Sequence, residues 1–180
     1  MRIAVYLGSN TGNDPQYAKA AGELGDWIAE NHHTLVYGGA RLGLMNILAE
    51  HALAKGGKVI GVMPKFMIAR ERQKNDLNEL IVTEDMSSRK KKMMDLADAY
   101  LAMPGGPGTL EEISEVISAS RLGLLQDRPC MCLNLNGYYD VLQTFLKQMK
   151  DAGFVEEKEL SHVFFPADVK DAAKIIAAQE

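Results

Sequence analysis

Cysteine is scarce in this sequence, and the two cysteines present do not form a paired motif. Cys130 and Cys132 are separated by a single residue within an apolar run, whereas redox and metal sites typically use CxxC spacing. His32 and His33 have no partner histidine or carboxylate at ligand spacing. We therefore expect reduced cysteines that serve in packing, and no metal site.

The chain also lacks an excess of positive charge. Its 20 lysines and arginines are outnumbered by 24 acidic residues, which gives a formal net charge of −4. This balance excludes a broad electrostatic attraction for nucleic acids or anionic membranes. The basic run at residues 89–92 has no interleaved aromatic residue. We expect neither nucleic acid nor a membrane as a partner.

Long hydrophobic runs are absent as well. No run approaches the length of a membrane span, and the apolar run at residues 3–7 is too short for a signal peptide. No segment has the composition of a linker, and 180 residues are enough for one packed core. These features predict a single cytoplasmic domain over residues 1–180.

Short apolar runs alternate with amphipathic segments along the chain. The runs are nearly continuous in apolar residues, as in strands that are buried on both faces. This alternation predicts an α/β fold in which a mainly parallel sheet lies between two layers of helices. The expected strands span residues 3–7, 35–37, 58–63, 80–83, 99–103, 130–133 and 163–165, and the expected helices span residues 17–31, 44–54, 87–96, 113–125, 138–150 and 167–178.

The most informative stretch is the glycine-rich turn at residues 104–108, between an apolar run and an amphipathic segment. Glycine lets the backbone approach a ligand closely, and Thr109 is a candidate N-cap that leaves the helix amides facing the turn. Such a turn suits a phosphate. Two alternatives stay open: a connection that serves geometry alone, and a capping box in which Glu112 bonds back to the Thr109 amide.

Two further glycine-rich turns, at residues 8–12 and 38–43, follow predicted strands. Ligands of parallel α/β sheets bind beyond the carboxyl ends of the strands, so we expect the three turns to face one crevice. No turn contains the GxGxxG dinucleotide fingerprint, and the sequence has no GxxxxGKS/T motif. The expected ligand is therefore a smaller phosphate ester.

Residues 89–93 (RKKKM) and 104–112 (PGGPGTLEE) resemble the paired RKxxM and PGGxGTxxE motifs of the Lonely Guy family. Its members are cytokinin riboside 5'-monophosphate phosphoribohydrolases, many of which were once mislabelled lysine decarboxylases. The likeness extends to residues 8–12, to residues 37–40 together with 43–45, and to residues 61–64. It implies a Rossmann-like homodimer that needs no cofactor and hydrolyses the N-glycosidic bond of AMP or N6-substituted AMP.

By motif position, the resemblance implies that Arg89 and Glu112 are catalytic. Cleavage of a ribosyl C–N bond passes through an oxocarbenium-like transition state, which a carboxylate stabilises while it orients or deprotonates water. Arg89 stays cationic and suits the ribose, the phosphate or the departing purine rather than the role of base. The expected substrate-binding residues are Gly8, Ser9, Gly38, Gly39, Glu71, Lys90, Gly105, Gly106, Gly108, Thr109, Glu111 and Glu115.

Several alternatives remain open. Glu115, one helical turn from Glu112, is either a ligand contact or a solvated or dimer-facing carboxylate. The methionines, including Met45 and Met86, are expected to serve in core or dimer packing. A non-catalytic nucleotide or molybdenum-cofactor carrier would have a similar fold and similar glycine turns. Amino-acid decarboxylation would need pyridoxal phosphate held by a lysine, for which we find no sequence signal.

Overall fold

The structure is a computed structural model that describes residues 1–70, 72–125 and 128–179. Its strands are β1 (Arg2–Tyr6), β2 (Thr34–Tyr37), β3 (Lys58–Pro64), β4 (Glu79–Thr83), β5 (Ala99–Ala102), β6 (Cys130–Cys132) and β7 (Val163–Phe164). They form one sheet in the order β4-β3-β2-β1-β5-β6-β7, and each neighbouring pair is parallel. The predicted parallel sheet is confirmed.

Helices cover both faces of this sheet. They are α1 (Pro15–Glu30), α2 (Gly43–Ala54), α3 (Lys65–Ile68), α4 (Met86–Leu96), α5 (Pro107–Arg121), α6 (Asp140–Asp151) and α7 (Val169–Ala177). Buried residues of α1, α2 and α7 form a core on one face, and those of α4, α5 and α6 form a core on the other. The fold is therefore a Rossmann-like α/β/α arrangement, as predicted.

The chain changes direction along the sheet at β1. From β1 the strands step outward to β4, and β5 then returns to the other side of β1. Tyr6 at the end of β1 pairs with Ala102 at the end of β5, so the turns that follow these two strands begin side by side. A parallel sheet opens a crevice at such a switch point, beyond the carboxyl ends of the strands.

Most element bounds differ from the predicted ones by a few residues, but α5 differs more. The sequence pattern starts this helix at Ile113, whereas the structure starts it at Pro107. Proline at the first helical position has its φ already fixed at a helical value, so the helix includes the end of the glycine turn. The helix α3 was not predicted, because four residues are too few to show a helical period.

Cys130 and Cys132 are free and buried in β6, which agrees with their predicted role in packing. Burial raises the pKa of the Cys132 thiol to about 12. A thiol with such a pKa stays protonated and unreactive near neutral pH. Within residues 1–70, 72–125 and 128–179, no helix has both the length and the apolar character of a membrane span.

Candidate active site

A cleft of about 650 Å³ opens at the switch point between β1 and β5. Its walls come from the loop after β1, the start of α2, the glycine turn after β5 and the first turns of α4 and α5. The residues that line it are Leu7, Gly8, Ser9, Asn10, Thr11, Gly12, Asn13, Tyr17, Leu44, Met45, Met67, Met86, Arg89, Glu112, Tyr138 and all six residues of 104–109. The structure thus brings the first and third glycine turns together, as the sequence predicts.

These two turns touch through their backbones. The Gly8 amide donates a hydrogen bond to the Pro104 carbonyl at 3.3 Å. A Cβ atom on Gly105 would lie 2.2 Å from Thr109 Oγ1 and 3.0 Å from the Gly8 nitrogen. Because that space is filled by backbone and by a buried side chain, only glycine fits at position 105.

The start of α5 differs from the sequence prediction. Gly106 is the N-cap, Pro107 is the first helical residue, and Thr109 is the third, so Thr109 is not the N-cap. The predicted capping box with Glu112 is also wrong, because Glu112 lies one turn inside the helix and its side chain bonds elsewhere. The amides of Gly108 and Thr109 have no acceptor within the helix, and both residues line the cleft. The positive end of the helix dipole therefore faces the cleft, which favours an anion there.

A buried ion pair joins α4 to α5 at the wall of the cleft. Arg89 Nη1 donates to Glu112 Oε1 at 2.5 Å, and Arg89 Nε donates to the Val62 carbonyl at 3.0 Å. The residues are only 6% and 9% exposed, so solvent screens the pair little. The two residues expected to be catalytic are therefore in direct contact.

The start of α4 is fixed by a capping box, which helps to aim Arg89. The Asp85 carboxylate accepts a hydrogen bond from the Ser88 amide at 2.8 Å, and the Ser88 hydroxyl accepts one from the Asp85 amide at 3.1 Å. These bonds satisfy two of the amides that a helix start leaves without partners. Arg89 is the residue directly after Ser88 in α4, so the capping box helps to fix its position.

The second glycine turn supports Arg89 instead of lining the cleft. A Cβ atom on Gly38 would lie 2.4 Å from Arg89 Nη2, so glycine leaves the space that the guanidinium occupies. Gly39 has a φ of +76° and packs against Gly61 of β3. Neither glycine is among the described residues that line the cleft, so their contact with substrate stays a prediction.

The environment of Glu112 alters its acidity. Burial raises the pKa of the Glu112 carboxyl above the ordinary value of 4.5, although the charge and hydrogen bond of Arg89 oppose this rise. Tyr6 lies on the same side of the sheet, and burial together with the negative charge of Glu112 raises the pKa of its hydroxyl well above the ordinary value. That hydroxyl has no hydrogen-bond partner among the described residues. Nothing in the sequence pattern distinguishes Tyr6 from the other apolar residues of β1.

Three predicted substrate-binding residues lie outside the cleft. Lys90 Nζ donates to Glu111 Oε1 at 2.7 Å and to Glu115 Oε2 at 2.8 Å, which links α4 to α5 on the outer side of the molecule. These bonds raise the pKa of the Lys90 ammonium. Lys90 is rotated by about 100° from Arg89 on the helix, so the two cannot face the same way. The predicted contact at Glu71 lies outside the described residues.

Comparison with known proteins decides the family. A family model described as "Possible lysine decarboxylase" matches residues 45–176. A cytokinin riboside 5'-monophosphate phosphoribohydrolase of Arabidopsis thaliana is 42% identical over 154 residues, which is 86% of this chain and 70% of that protein. One of Rhodococcoides fascians is 41% identical over 175 residues, which is 97% of this chain and 88% of that protein. This chain belongs to the Lonely Guy family.

Solved structures show that this Lonely Guy chain shares its fold with proteins that handle molybdenum cofactor. The molybdenum cofactor binding protein of Rippkaea orientalis has a TM-score of 0.75 at 21% identity, and the match covers 99% of this chain and 96% of that chain. The molybdenum cofactor carrier protein of Chlamydomonas reinhardtii has a TM-score of 0.74 at 26% identity, and the match covers 99% and 95%. The first likeness shows the fold alone.

Several cleft residues of this Lonely Guy chain carry no clear signal in the sequence. Tyr17 and Tyr138 line the cleft beside the glycine turns. Met45 and Met86 also line it, although Met45 packs against the core as predicted, and Met67 from the unpredicted helix α3 joins them. The position of Met45 directly after a glycine turn was the available signal. No comparable signal marked Tyr138, which is far from the other lining residues in sequence.

Proposed function

We propose that this Lonely Guy protein is a nucleoside 5'-monophosphate phosphoribohydrolase acting on AMP or N6-substituted AMP. The observation that carries the proposal is the buried Arg89–Glu112 pair, which lies in the same cleft as the start of α5. Free helix amides suit the phosphate, and a carboxylate suits the anomeric carbon at the other end of the ribose. The activity named for the relatives in A. thaliana and R. fascians supports the same reaction.

In the proposed reaction, the amides of Gly108 and Thr109 bind the phosphate and fix the position of the ribose. Glu112 then stabilises the positive charge that develops at C1′ and accepts a proton from the attacking water. The C1′–N9 bond breaks, the hydroxyl group of the water bonds to C1′, and the proton that Glu112 accepted passes to the departing base, which returns Glu112 to its carboxylate form. The products are the free base and ribose 5-phosphate. The raised pKa of Glu112 makes its carboxylate a stronger base than that of an exposed glutamate.

Arg89 has two roles in this proposal. It holds the Glu112 carboxylate at a defined position through one guanidinium nitrogen, while the Val62 carbonyl fixes the guanidinium itself. Its positive charge and hydrogen bond also hold the pKa of Glu112 below the value that burial alone would produce, which favours the carboxylate form. Arg89 cannot act as the base, because a guanidinium stays protonated.

An apolar part of the cleft supports an N6-substituted base as substrate. Leu44, Met45, Met67 and Met86 are apolar residues that line the cleft. Methionine side chains are flexible and polarisable, so they adapt to a purine ring and to an apolar substituent on it. We therefore propose that N6-prenylated AMP is cleaved at least as well as AMP.

The assembly and compartment belong to the same proposal. We propose a homodimer, because Leu122 and Leu124, which follow α5, are 69% and 71% exposed and line a groove between α4 and α5. Exposed apolar side chains next to one another favour burial against a partner. Sedimentation that finds an active monomer at micromolar concentration would contradict the dimer. We further propose a cytoplasmic location, in which Cys130 and Cys132 stay reduced.

Two other activities need comparison. A carrier that binds a nucleotide or molybdenum cofactor without cleaving it is supported by the likeness to the C. reinhardtii carrier protein. Decarboxylation, which the name of the matching family model suggests, would need a lysine to bind pyridoxal phosphate. Among the described lining residues, no lysine is present, and Lys90 is engaged with Glu111 and Glu115 outside the cleft.

The test is to incubate the purified protein with AMP, N6-isopentenyl-AMP and adenosine and to measure the free base by chromatography. We expect base release from both nucleotides and a kcat/KM for AMP at least about 100-fold above that for adenosine, since several phosphate hydrogen bonds are lost with adenosine. Tight binding of AMP without release of adenine would favour the carrier. Equal cleavage of AMP and adenosine would refute the phosphate site.

A further inference from the structure

We propose that Tyr138 is a positioning residue that holds the Gly105–Gly106 peptide in the orientation needed for anion binding. The inference rests on the proposed phosphate role of the glycine turn. The Tyr138 hydroxyl donates a hydrogen bond to the Gly105 carbonyl oxygen at 2.5 Å. Tyr138 comes from the segment between β6 and α6, and it lines the same cleft as the turn.

The Gly105–Gly106 peptide needs such a contact because little else restrains it. Both flanking residues are glycines, so the dihedral angles on either side rotate with little steric cost. At Gly106, a Cβ atom would meet no described atom within 4 Å, so the α-carbon on this side of the peptide has open space beside it. At Gly105, a Cβ atom would meet Thr109 and Gly8, so the space beside its α-carbon is filled, whereas the Tyr138 hydroxyl contacts the carbonyl oxygen itself.

The direction of this carbonyl decides what the turn offers to a ligand. In a trans peptide the C=O and N–H groups point in opposite directions. While Tyr138 holds the Gly105 oxygen, the Gly106 N–H points away from Tyr138 and can act with the amides of Gly108 and Thr109. A reversed peptide would remove this donor and turn a carbonyl oxygen toward the anion, which repels it.

Aromatic neighbours hold the ring of Tyr138 in place. Its ring meets Tyr17 edge to face with the centroids 5.8 Å apart, and it meets Tyr139 in the same manner at 5.0 Å. Tyr17 in turn packs against Gly12 of the first glycine turn, where a Cβ atom would lie 2.8 Å from the Tyr17 ring. Tyr138 therefore connects the first and third glycine turns at one side of the cleft.

Tyr139 provides a matched comparison in the same segment. Its hydroxyl donates to the Met103 carbonyl at 2.7 Å, so it also joins a tyrosine to the backbone at this turn. However, Tyr139 is 5% exposed and is not among the described lining residues, whereas Tyr138 is 42% exposed and lines the cleft. Loss of the Tyr139 hydroxyl should therefore reduce stability, and loss of the Tyr138 hydroxyl should weaken the anion site.

The experiment compares Tyr138→Phe and Tyr139→Phe with the wild type. Binding of ribose 5-phosphate is measured by calorimetry, hydrolysis of AMP by adenine release, and stability by thermal melting. For Tyr138→Phe we expect the Kd for ribose 5-phosphate and the KM for AMP to rise about tenfold and kcat to stay within about twofold. A tenfold change corresponds to the loss of one hydrogen bond to a charged ligand, which here is the bond from the Gly106 amide. Its melting temperature should stay within about 2 °C of the wild type, because Tyr138 is an exposed residue.

For Tyr139→Phe we expect the opposite result: a melting temperature lower by about 3 °C or more and a Kd for ribose 5-phosphate within about twofold. Unchanged ribose 5-phosphate affinity in Tyr138→Phe would overturn the proposal, as would a weakening of the same size in both variants. The binding measurement does not depend on catalysis. A wild-type protein that binds ribose 5-phosphate but releases no adenine would refute the proposed reaction, while the comparison of the variants would still decide the role of Tyr138.

Discussion

Replacement of Glu112 with glutamine removes one negative charge from the buried pair while the size of the side chain is kept. The Glu112 carboxylate accepts a hydrogen bond from Arg89 at 2.5 Å, and the two side chains are 10% and 7% exposed. Water screens this pair little, and the guanidinium keeps its charge in the variant. The glutamine carbonyl oxygen can still accept from Arg89, so one hydrogen bond survives.

The variant should lose stability moderately and activity strongly. Removal of one partner from a buried ion pair costs about 3–5 kcal/mol when the other charge is left unpaired. The surviving hydrogen bond, and relief from burying a carboxylate whose pKa is already raised, reduce the expected loss to about 1–2 kcal/mol. This corresponds to a melting temperature lower by about 2–8 °C for a chain of this length. The kcat for AMP should fall by roughly 10² or more, or about 2.7 kcal/mol in barrier height.

The assay combines thermal melting with the rate of adenine release from AMP. Glu111→Gln is the matched control, because it makes the same chemical change one residue away. The Glu111 side chain is 62% exposed and pairs with Lys90 outside the cleft. Exposed ion pairs contribute about 0–1 kcal/mol, so this variant should melt within about 2 °C of the wild type with kcat within about twofold. A Glu112→Gln protein with nearly normal kcat would refute the catalytic role of Glu112. Equal losses of kcat in both variants would refute the conclusion that Glu112 faces the reaction site and Glu111 does not.

Three further predictions concern the same pair. Arg89→Lys should lower kcat about tenfold or more in the adenine-release assay, since an ammonium cannot bond Val62 and Glu112 in the same geometry; rates close to wild type would contradict this. Gly38→Ala should lower both kcat and melting temperature, because its Cβ atom would lie 2.4 Å from Arg89 Nη2, and a variant unchanged in both would mean that the guanidinium has room to move. The kcat for AMP should decrease on acidification with an apparent pKa above the ordinary glutamate value of 4.5. The reason is that the pKa of Glu112 is raised, so its active carboxylate form becomes protonated at a less acidic pH than in an exposed glutamate. An apparent pKa at or below 4.5 in the pH profile of kcat would argue against Glu112 as the ionising group.

The sheet was predictable from the sequence because each strand carries its own signal. Strands that are covered on both faces need nearly continuous apolar residues, and the runs at residues 3–7 and 99–103 have this property locally. The position of the site was predictable for a similar reason. Glycine turns that follow parallel strands lie at one edge of the sheet whatever the order of the strands.

The start of α5 shows where local reasoning failed. Thr109 and Glu112 have the spacing of a capping box, but Pro107 starts the helix two residues before Thr109, and Glu112 is drawn to Arg89 instead. A buried guanidinium interacts with a carboxylate more strongly than a single backbone amide does, so a contact between distant residues replaced the local one.

By itself, the sequence determined the alternation of strands and helices apart from α3, the place of a glycine-rich turn at residues 104–108 after a buried strand, and the family through its paired motifs. These properties depend on residue types and on spacings along one element. Only the tertiary structure decided which neighbours face the cleft. Arg89 and Lys90 are adjacent in sequence, yet the first meets Glu112 in the cleft and the second meets Glu111 outside it. Tyr138 and Gly105 are likewise far apart in sequence, yet the Tyr138 hydroxyl donates a hydrogen bond to the Gly105 carbonyl. The physical reason is that the direction of a side chain depends on how two helices pack against the same sheet, and that packing is set by contacts between residues far apart in the chain.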